Sequence, residues 1–171
     1  MRRILGFAIA VGLVCAGALG QEKPTPSAKK TMKAAPKPAH SIMNPADIQW
    51  VNAPTVLPPG AKMAVLLGDP AKTGLYTIRL KAGDGYKIAA HWHPTTEHLT
   101  VISGTFNLGT GDKLDESKAT AMSAGAFGTM PAKMHHYAWC KGETEIQVYG
   151  MGPFKVIYVN PEDDPSKATR K

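Results

Sequence analysis

Short runs of apolar or alternating residues, each cut off by glycine or proline, fill the chain from about residue 48 to residue 159. Leu75–Lys81 is the clearest. Tyr76, Ile78 and Leu80 fall on one side and Thr77, Arg79 and Lys81 on the other, the period-two pattern of a half-buried strand. Comparable runs predict strands over 48–51, 62–67, 87–93, 97–102, 105–108, 126–130, 135–139, 143–149 and 155–159. Pro54, Pro58, Pro59 and Gly60 interrupt the first two, Gly68-Asp69-Pro70 turns the second, and Ser103-Gly104 reads as a hairpin turn. Residues 109–121 are polar and read as a loop with a short helical turn. Many short strands between turn signals predict an all-β sandwich or barrel. Tyr76, Ile78, Leu80, Leu99, Val101, Phe127 and Ile146 are the expected lining of its interior. Trp92, Tyr137 and Trp139 have the opposite parity and are expected under loops or at a subunit interface.

The ends of the chain have a different composition. Arg2 and Arg3, an apolar run from Ile4 to about Val14, and small residues at Ala18-Leu19-Gly20 read as a secretory signal peptide over 1–20. The run is short for a membrane-spanning helix, so no stable membrane anchor is expected. Cys15 would be the acylated residue of a lipoprotein, but Val14 before it suits that processing poorly. Residues 21–46 hold Pro24, Pro26, Pro36, Pro38 and Pro45 among Lys, Ala, Thr and Ser, and read as an extended linker with no core. One domain is expected over 47–165, followed by a short tail over 166–171. About 125 residues from Asp47 onward are enough for one core. A signal peptide there predicts a secreted protein, expected in the periplasm. The mature chain then keeps one cysteine, Cys140, and no intramolecular disulfide.

The net charge of +7 is not a nucleic-acid signature. Residues 21–40 carry five lysines against Glu22, whereas residues 41–171 hold 13 Lys/Arg against 12 Asp/Glu, a balance of +1. The basic excess lies in the leader and linker, and a nearly neutral domain lacks the basic face that nucleic acid requires.

Candidate chemistry is concentrated in Gly85-Tyr-Lys-Ile-Ala-Ala-His91-Trp-His93-Pro-Thr-Thr-Glu97. His91 and His93 are two apart, so on a strand they share a face at roughly 7 Å. Two imidazoles can converge from there on an ion about 2 Å from each nitrogen. Pro94 ends the strand, and the turn through Thr95 and Thr96 can return Glu97 beside the histidines. A second segment, Gly125 to His136, offers a further imidazole. Three nitrogens and one carboxylate oxygen suit a first-row transition metal with open positions.

These segments resemble the two motifs of the cupins. Gly85, His91, His93, Glu97 and Gly104 match G-x5-H-x-H-x3-E-x6-G at every named position. Gly125, Pro131 and His136 match G-x5-P-x-G-x2-H-x3-N, with Lys133 where the motif has glycine and Cys140 where it has asparagine. The spacer between Gly104 and Gly125 holds 20 residues, as in compact bacterial cupins. The resemblance implies a double-stranded β-helix, or jelly-roll barrel. It also implies a metal held by His91, His93, Glu97 and His136, with Glu97 as a candidate base, and a homodimer. The ion would be one of Fe, Mn, Zn, Ni or Cu.

Neighbouring residues have plainer roles. Strand alternation turns His135 away from His136 and His98 away from Glu97, so both are expected off the metal. Cys140 shares the parity of His136 but lies about 13 Å along the strand, too far to ligate the same ion, and reads as a buried inert thiol. Lys133 would cost about 1–2 kcal/mol if the turn kept the left-handed conformation of a glycine. A turn of slightly different geometry is expected instead. Asp112, Asp115 and Glu116 lack calcium-loop spacing and read as a solvated acidic loop.

Two functions from different classes fit. The first is metal-dependent catalysis on a small molecule, with O₂-dependent oxidation ahead on the frequency of such reactions among cupins. The second is a non-catalytic metal- or ligand-sensing module. The stretch from Trp50 through Pro59-Gly60 resembles the zinc-binding cupin domains of anti-sigma factors, although this chain shows no second domain.

Overall fold

The computed structural model describes residues 41–168. The expected signal peptide, the linker before Ser41 and the tail beyond Ala168 lie outside the described residues. Nine strands follow in order: β1 (Val51–Asn52), β2 (Lys62–Leu67), β3 (Gly74–Ala82), β4 (Lys87–Trp92), β5 (Glu97–Thr110), β6 (Thr120–Ser123), β7 (Phe127–Met130), β8 (His136–Gly152) and β9 (Ile157–Tyr158). A single helical turn, α1 (Pro165–Ala168), comes last. Every strand pairing is antiparallel. This curled antiparallel sheet is the all-β barrel expected from the strand pattern, and the jelly roll that the cupin resemblance implies.

Two long strands organise it. The C-terminal half of β8 pairs with β3 on one edge and with the first half of β5 on the other. Its N-terminal half pairs with β4 and with the second half of β5. The free edge of β5 is covered by β7 over Glu97–Thr100 and by β6 over Thr105–Leu108. The long strands bend where glycine permits it: Gly104 and Gly142 have φ of 77° and 73°.

The strand pattern places most elements and misjudges the long ones. Ser103-Gly104 is not a hairpin turn. β5 runs straight through it, with register shifts against β8 at Val101/Ser103 and Ser103/Thr105. A side chain at Gly104 would meet the Thr144 Cα at 2.8 Å, so glycine lets β8 lie close where the strand bulges. The two runs expected at 135–139 and 143–149 likewise form one strand, β8, through Gly142. The first strand is confined to Val51–Asn52. β6 lies at the end of the stretch read as loop, where Thr120 and Ala121 offer little apolar pattern.

Tyr76, Ile78, Leu99, Val101 and Ile146 are buried in the main core, with Leu80 packed against it. Phe127 is the exception. It is 57% exposed, because it pairs with Thr100 on the outer row of β5 while Leu99 and Val101 take the inner row. Met130 supplies the buried side chain of β7. Tyr137 is buried beneath the loop before β6, and its hydroxyl donates to the Asp115 carbonyl at 3.0 Å.

Candidate metal centre

His91 lies in β4, His93 directly after it, and Glu97 and His136 open β5 and β8. The pairing of His91 with His136 across β4 and β8 brings two imidazoles side by side, with ring centroids 4.3 Å apart and planes tilted by 58°. A register shift between Ile88 and His91 lies just before this pair. Such bulges re-aim side chains near functional sites. Past β4, the Lys133 N–H donates to the His93 carbonyl at 2.8 Å and ties the second motif to the first.

Each imidazole is oriented by a backbone carbonyl. Nδ1 of His91 lies 2.8 Å from the Ala89 oxygen, that of His93 2.7 Å from Lys155, and that of His136 2.9 Å from Met134. A carbonyl can only accept, so each Nδ1 carries the proton and donates, leaving Nε2 with a lone pair. The ligand atoms of the three residues lie within 4.8 Å of one another. Glu97 Oε2 stands 3.4 Å from His93 Nε2 and 3.6 Å from His136 Nε2. Two ligands that are each about 2.1 Å from one ion can be at most about 4.2 Å apart, so the 3.4 and 3.6 Å separations suit a shared ion. The Nε2 atoms of His93 and His136 are buried with no hydrogen-bond partner. Unpaired buried nitrogens are costly, and a bound cation would satisfy both. Three buried histidines with this donor set can hold a metal ion.

The electrostatics keep His91, His136 and Glu97 in ligating form. Burial, followed by the neighbouring imidazoles of His136 and His93, pushes the His91 pKa down to about 3. Burial also lowers that of His136. His93 goes the other way: burial disfavours its charged form, but the Glu97 carboxylate and the Lys155 carbonyl outweigh burial and raise its pKa. Burial works against the Glu97 carboxylate too, and His93, His136 and His91 together hold its pKa below the ordinary range.

The four expected residues come together, and the others are placed apart. His135 is on the surface, 2.6 Å from Asp112. His98 lies on the outer face, stacked on Tyr149 at 5.2 Å and 23°. Cys140 is buried inside the barrel, and burial raises its thiol pKa. Lys133 keeps the left-handed conformation, with φ of 66°, so the expectation of a different turn fails. The carbonyl it bonds, that of His93, requires the same turn that a glycine would make. In the acidic loop, Asp115 pairs with Lys118, Glu116 with Lys87 and Asp112 with His135.

Sequence reasoning missed the packing around the candidate ligands. Phe154 stacks on His93 with centroids 5.1 Å apart and planes 24° from parallel. Tyr158 lies 6.0 Å from the His91 ring. Phe154 falls outside any strand, where no periodicity marks it. The orienting carbonyls of Ala89, Met134 and Lys155 belong to the backbone and have no residue signature. A cavity of about 30 Å³ adjoins the ligands, walled by aliphatic and aromatic side chains that include Leu99, Leu108, Val148 and Phe154.

Residues 38–155 match the family model of the ChrR cupin-like domain. The chain belongs to this family. No curated protein matches this ChrR-like cupin in sequence. Solved structures match its fold at low identity. The polyketide cyclase RemF from Streptomyces resistomycificus is 14% identical, with a TM-score of 0.60, and the match covers 78% of this chain and 94% of that one. A putative acetylacetone dioxygenase from Methylibium petroleiphilum is 17% identical, with a TM-score of 0.59, covering 78% of this chain and 90% of that one. An RmlC-like cupin from Shewanella frigidimarina is 15% identical, with a TM-score of 0.52, covering 66% and 91% respectively.

Proposed function

We propose that this ChrR-like cupin binds one divalent transition metal (Fe, Mn, Zn, Ni or Cu) through His91, His93, Glu97 and His136, and acts with it as a catalyst on a small molecule. The observation that carries this reading is the pair of buried, unpartnered Nε2 atoms facing a carboxylate. A bound ion would supply Lewis-acid or redox chemistry at its open positions. The chain orients three imidazoles by their Nδ1–H donors, keeps Glu97 ionised, and walls the site with apolar side chains that exclude bulk water. Glu97 is the one carboxylate in contact with the imidazoles among the described residues, and so the candidate to accept a proton from substrate. O₂-dependent oxidation is the favoured reaction class. A small apolar cavity suits dioxygen, and acetylacetone dioxygenases are among the fold's neighbours.

The family match favours one second reading, a non-catalytic metal- or ligand-sensing module. Metal analysis of the purified protein, followed by O₂-consumption assays with small diketone, keto-acid and phenolic substrates, separates the two. About one equivalent of iron, manganese, nickel or copper with substrate-dependent O₂ uptake supports catalysis. Zinc with no turnover supports sensing. No metal in the protein, and no thermal shift on adding metals back, would overturn the catalytic and the metal-sensing readings.

We further read the protein as exported to the periplasm on the sequence of residues 1–20, and as a homodimer. Leu75 and Met151, directly paired on the outer face of β3 and β8, are both more than half exposed and give a dimer an apolar patch to cover. Fractionation of the host cell and light scattering test these two points.

A further inference from the structure

A second cavity, of about 20 Å³, lies in the barrel beside the metal-site cavity. Ala61, Ala82, Tyr86, Cys140 and Thr144 line its far side. Leu57, Leu80, Ile88, Phe106 and Ile146 line both cavities and form the wall between them. About 10–15 Å³ is enough to hold one water-sized molecule, so each cavity has room for a small guest.

The far chamber offers such a guest almost no polar contact. The Tyr86 hydroxyl donates to the Pro58 carbonyl at 2.9 Å. The Thr144 hydroxyl is engaged with the carbonyls of Thr105 and Gly142, at 3.1 and 3.2 Å. Both hydroxyl donors are therefore committed to the backbone. The remaining lining is aliphatic or aromatic, apart from the Cys140 thiol, a weak donor. Water needs two to four polar partners to stay in a buried site, and apolar cavities stay dry and take apolar guests instead.

We infer that the chamber between Ala61 and Cys140 is a binding site for a diatomic-sized apolar molecule, dioxygen in particular, behind the metal centre. Its functional meaning rests on the oxygen-using reading above, whereas its existence as a dry site does not require a metal. A charged or hydroxyl-rich ligand is excluded from it, because such a ligand would lose its hydration with no partner in return.

Methyl-resolved NMR of the purified protein under xenon, and separately under pressurised dioxygen, tests the site. Saturable xenon shifts at the methyls of Ala61, Ala82, Leu57, Ile88 and Ile146, with paramagnetic broadening of the same signals by dioxygen, are expected. Ala61→Leu should fill the chamber and abolish these effects without changing the metal content. Cys140→Ile serves the same purpose if Ala61→Leu does not fold. Effects confined to surface methyls, effects that persist in a folded filling variant, or water contacts to these methyls would overturn the site. Metal content measured on the same samples keeps the two readings distinct. A protein that takes up xenon but no metal retains the chamber and loses the proposed catalysis. One that takes up metal but no xenon does the reverse.

Discussion

Lys133 and His93 are joined by a 2.8 Å backbone hydrogen bond that Lys133 makes from a left-handed conformation, φ 66°. A side chain in that conformation costs about 1–2 kcal/mol, and glycine would recover this less about 0.5–1 kcal/mol of extra chain entropy in the unfolded state. Lys133→Gly is therefore expected to stabilise the fold by about 0.5–1 kcal/mol. Urea unfolding should show a higher midpoint at unchanged slope, with metal content unaffected. A lower midpoint would mean that the lysine side chain contributes more than its backbone strain costs.

His136→Ala and His135→Ala differ by one position and are expected to behave as opposites. The first removes a buried imidazole from the centre and should abolish metal binding. It also forfeits the linkage term, about 2.7 kcal/mol when free metal is a hundredfold above Kd. The second removes an exposed partner of Asp112 and should cost under about 1 kcal/mol. Elemental analysis and thermal melts with and without chelator decide the matter. Metal retained in His136→Ala but lost in His135→Ala would shift the ligand by one residue.

Phe154→Ala tests the packing of a candidate ligand rather than the ligand itself. The ring touches His93 on one side and lies 5.6 Å from Tyr76 on the other. Aromatic contacts of this kind contribute about 0.5–1.5 kcal/mol beyond the area they bury. The variant should fold with reduced stability and bind metal roughly tenfold more weakly, because imidazole orientation is lost while all four donors remain. Competition against a chelator gives the affinity, and an unchanged value would show that the Lys155 carbonyl alone orients His93.

The metal-free protein should lose stability as the pH falls from 7 to 5. His91 and His136 have lowered pKa values in the fold, chiefly through burial, so the unfolded chain takes up their protons first, from about pH 6.5 downward. His93 opposes them: its raised pKa favours the fold below about 6.5, a contribution lost as pH rises. Two groups outweigh one. Glu97, whose pKa is lowered, adds a further loss where the unfolded chain's carboxylates titrate, below about pH 5. Urea midpoints of chelated protein at pH 7, 6 and 5 should decline in that order, and a rise would mean that the His93–Glu97 pair dominates.

The gathering of these residues was legible in the sequence because the spacing of His91, His93 and Glu97 encodes a strand end and a turn, and strand ends have local signals. The same locality explains the errors. Gly104 and Gly142 look like turn residues when read alone, yet each is a bend inside a strand whose partners lie far along the chain. Phe127 has the apolar character of a core residue, but its face is set by its register with Thr100, which no local pattern reports. The placement of Phe154 on His93 was not legible for the same reason: it depends on how the barrel closes.

The continuity of β8 across Gly142 has a consequence for how the protein comes apart. One segment carries His136 at its start, pairs with β4 and β5 there, and holds β3 and β5 at its end. Peeling back either half of the barrel must lift a stretch that the other half also uses. Amide protons in β3, far from the ligands, should therefore exchange at the same global rate as those in β4, and a metal ion seated among the histidines should slow both equally. The barrel and its centre would then open as one cooperative unit.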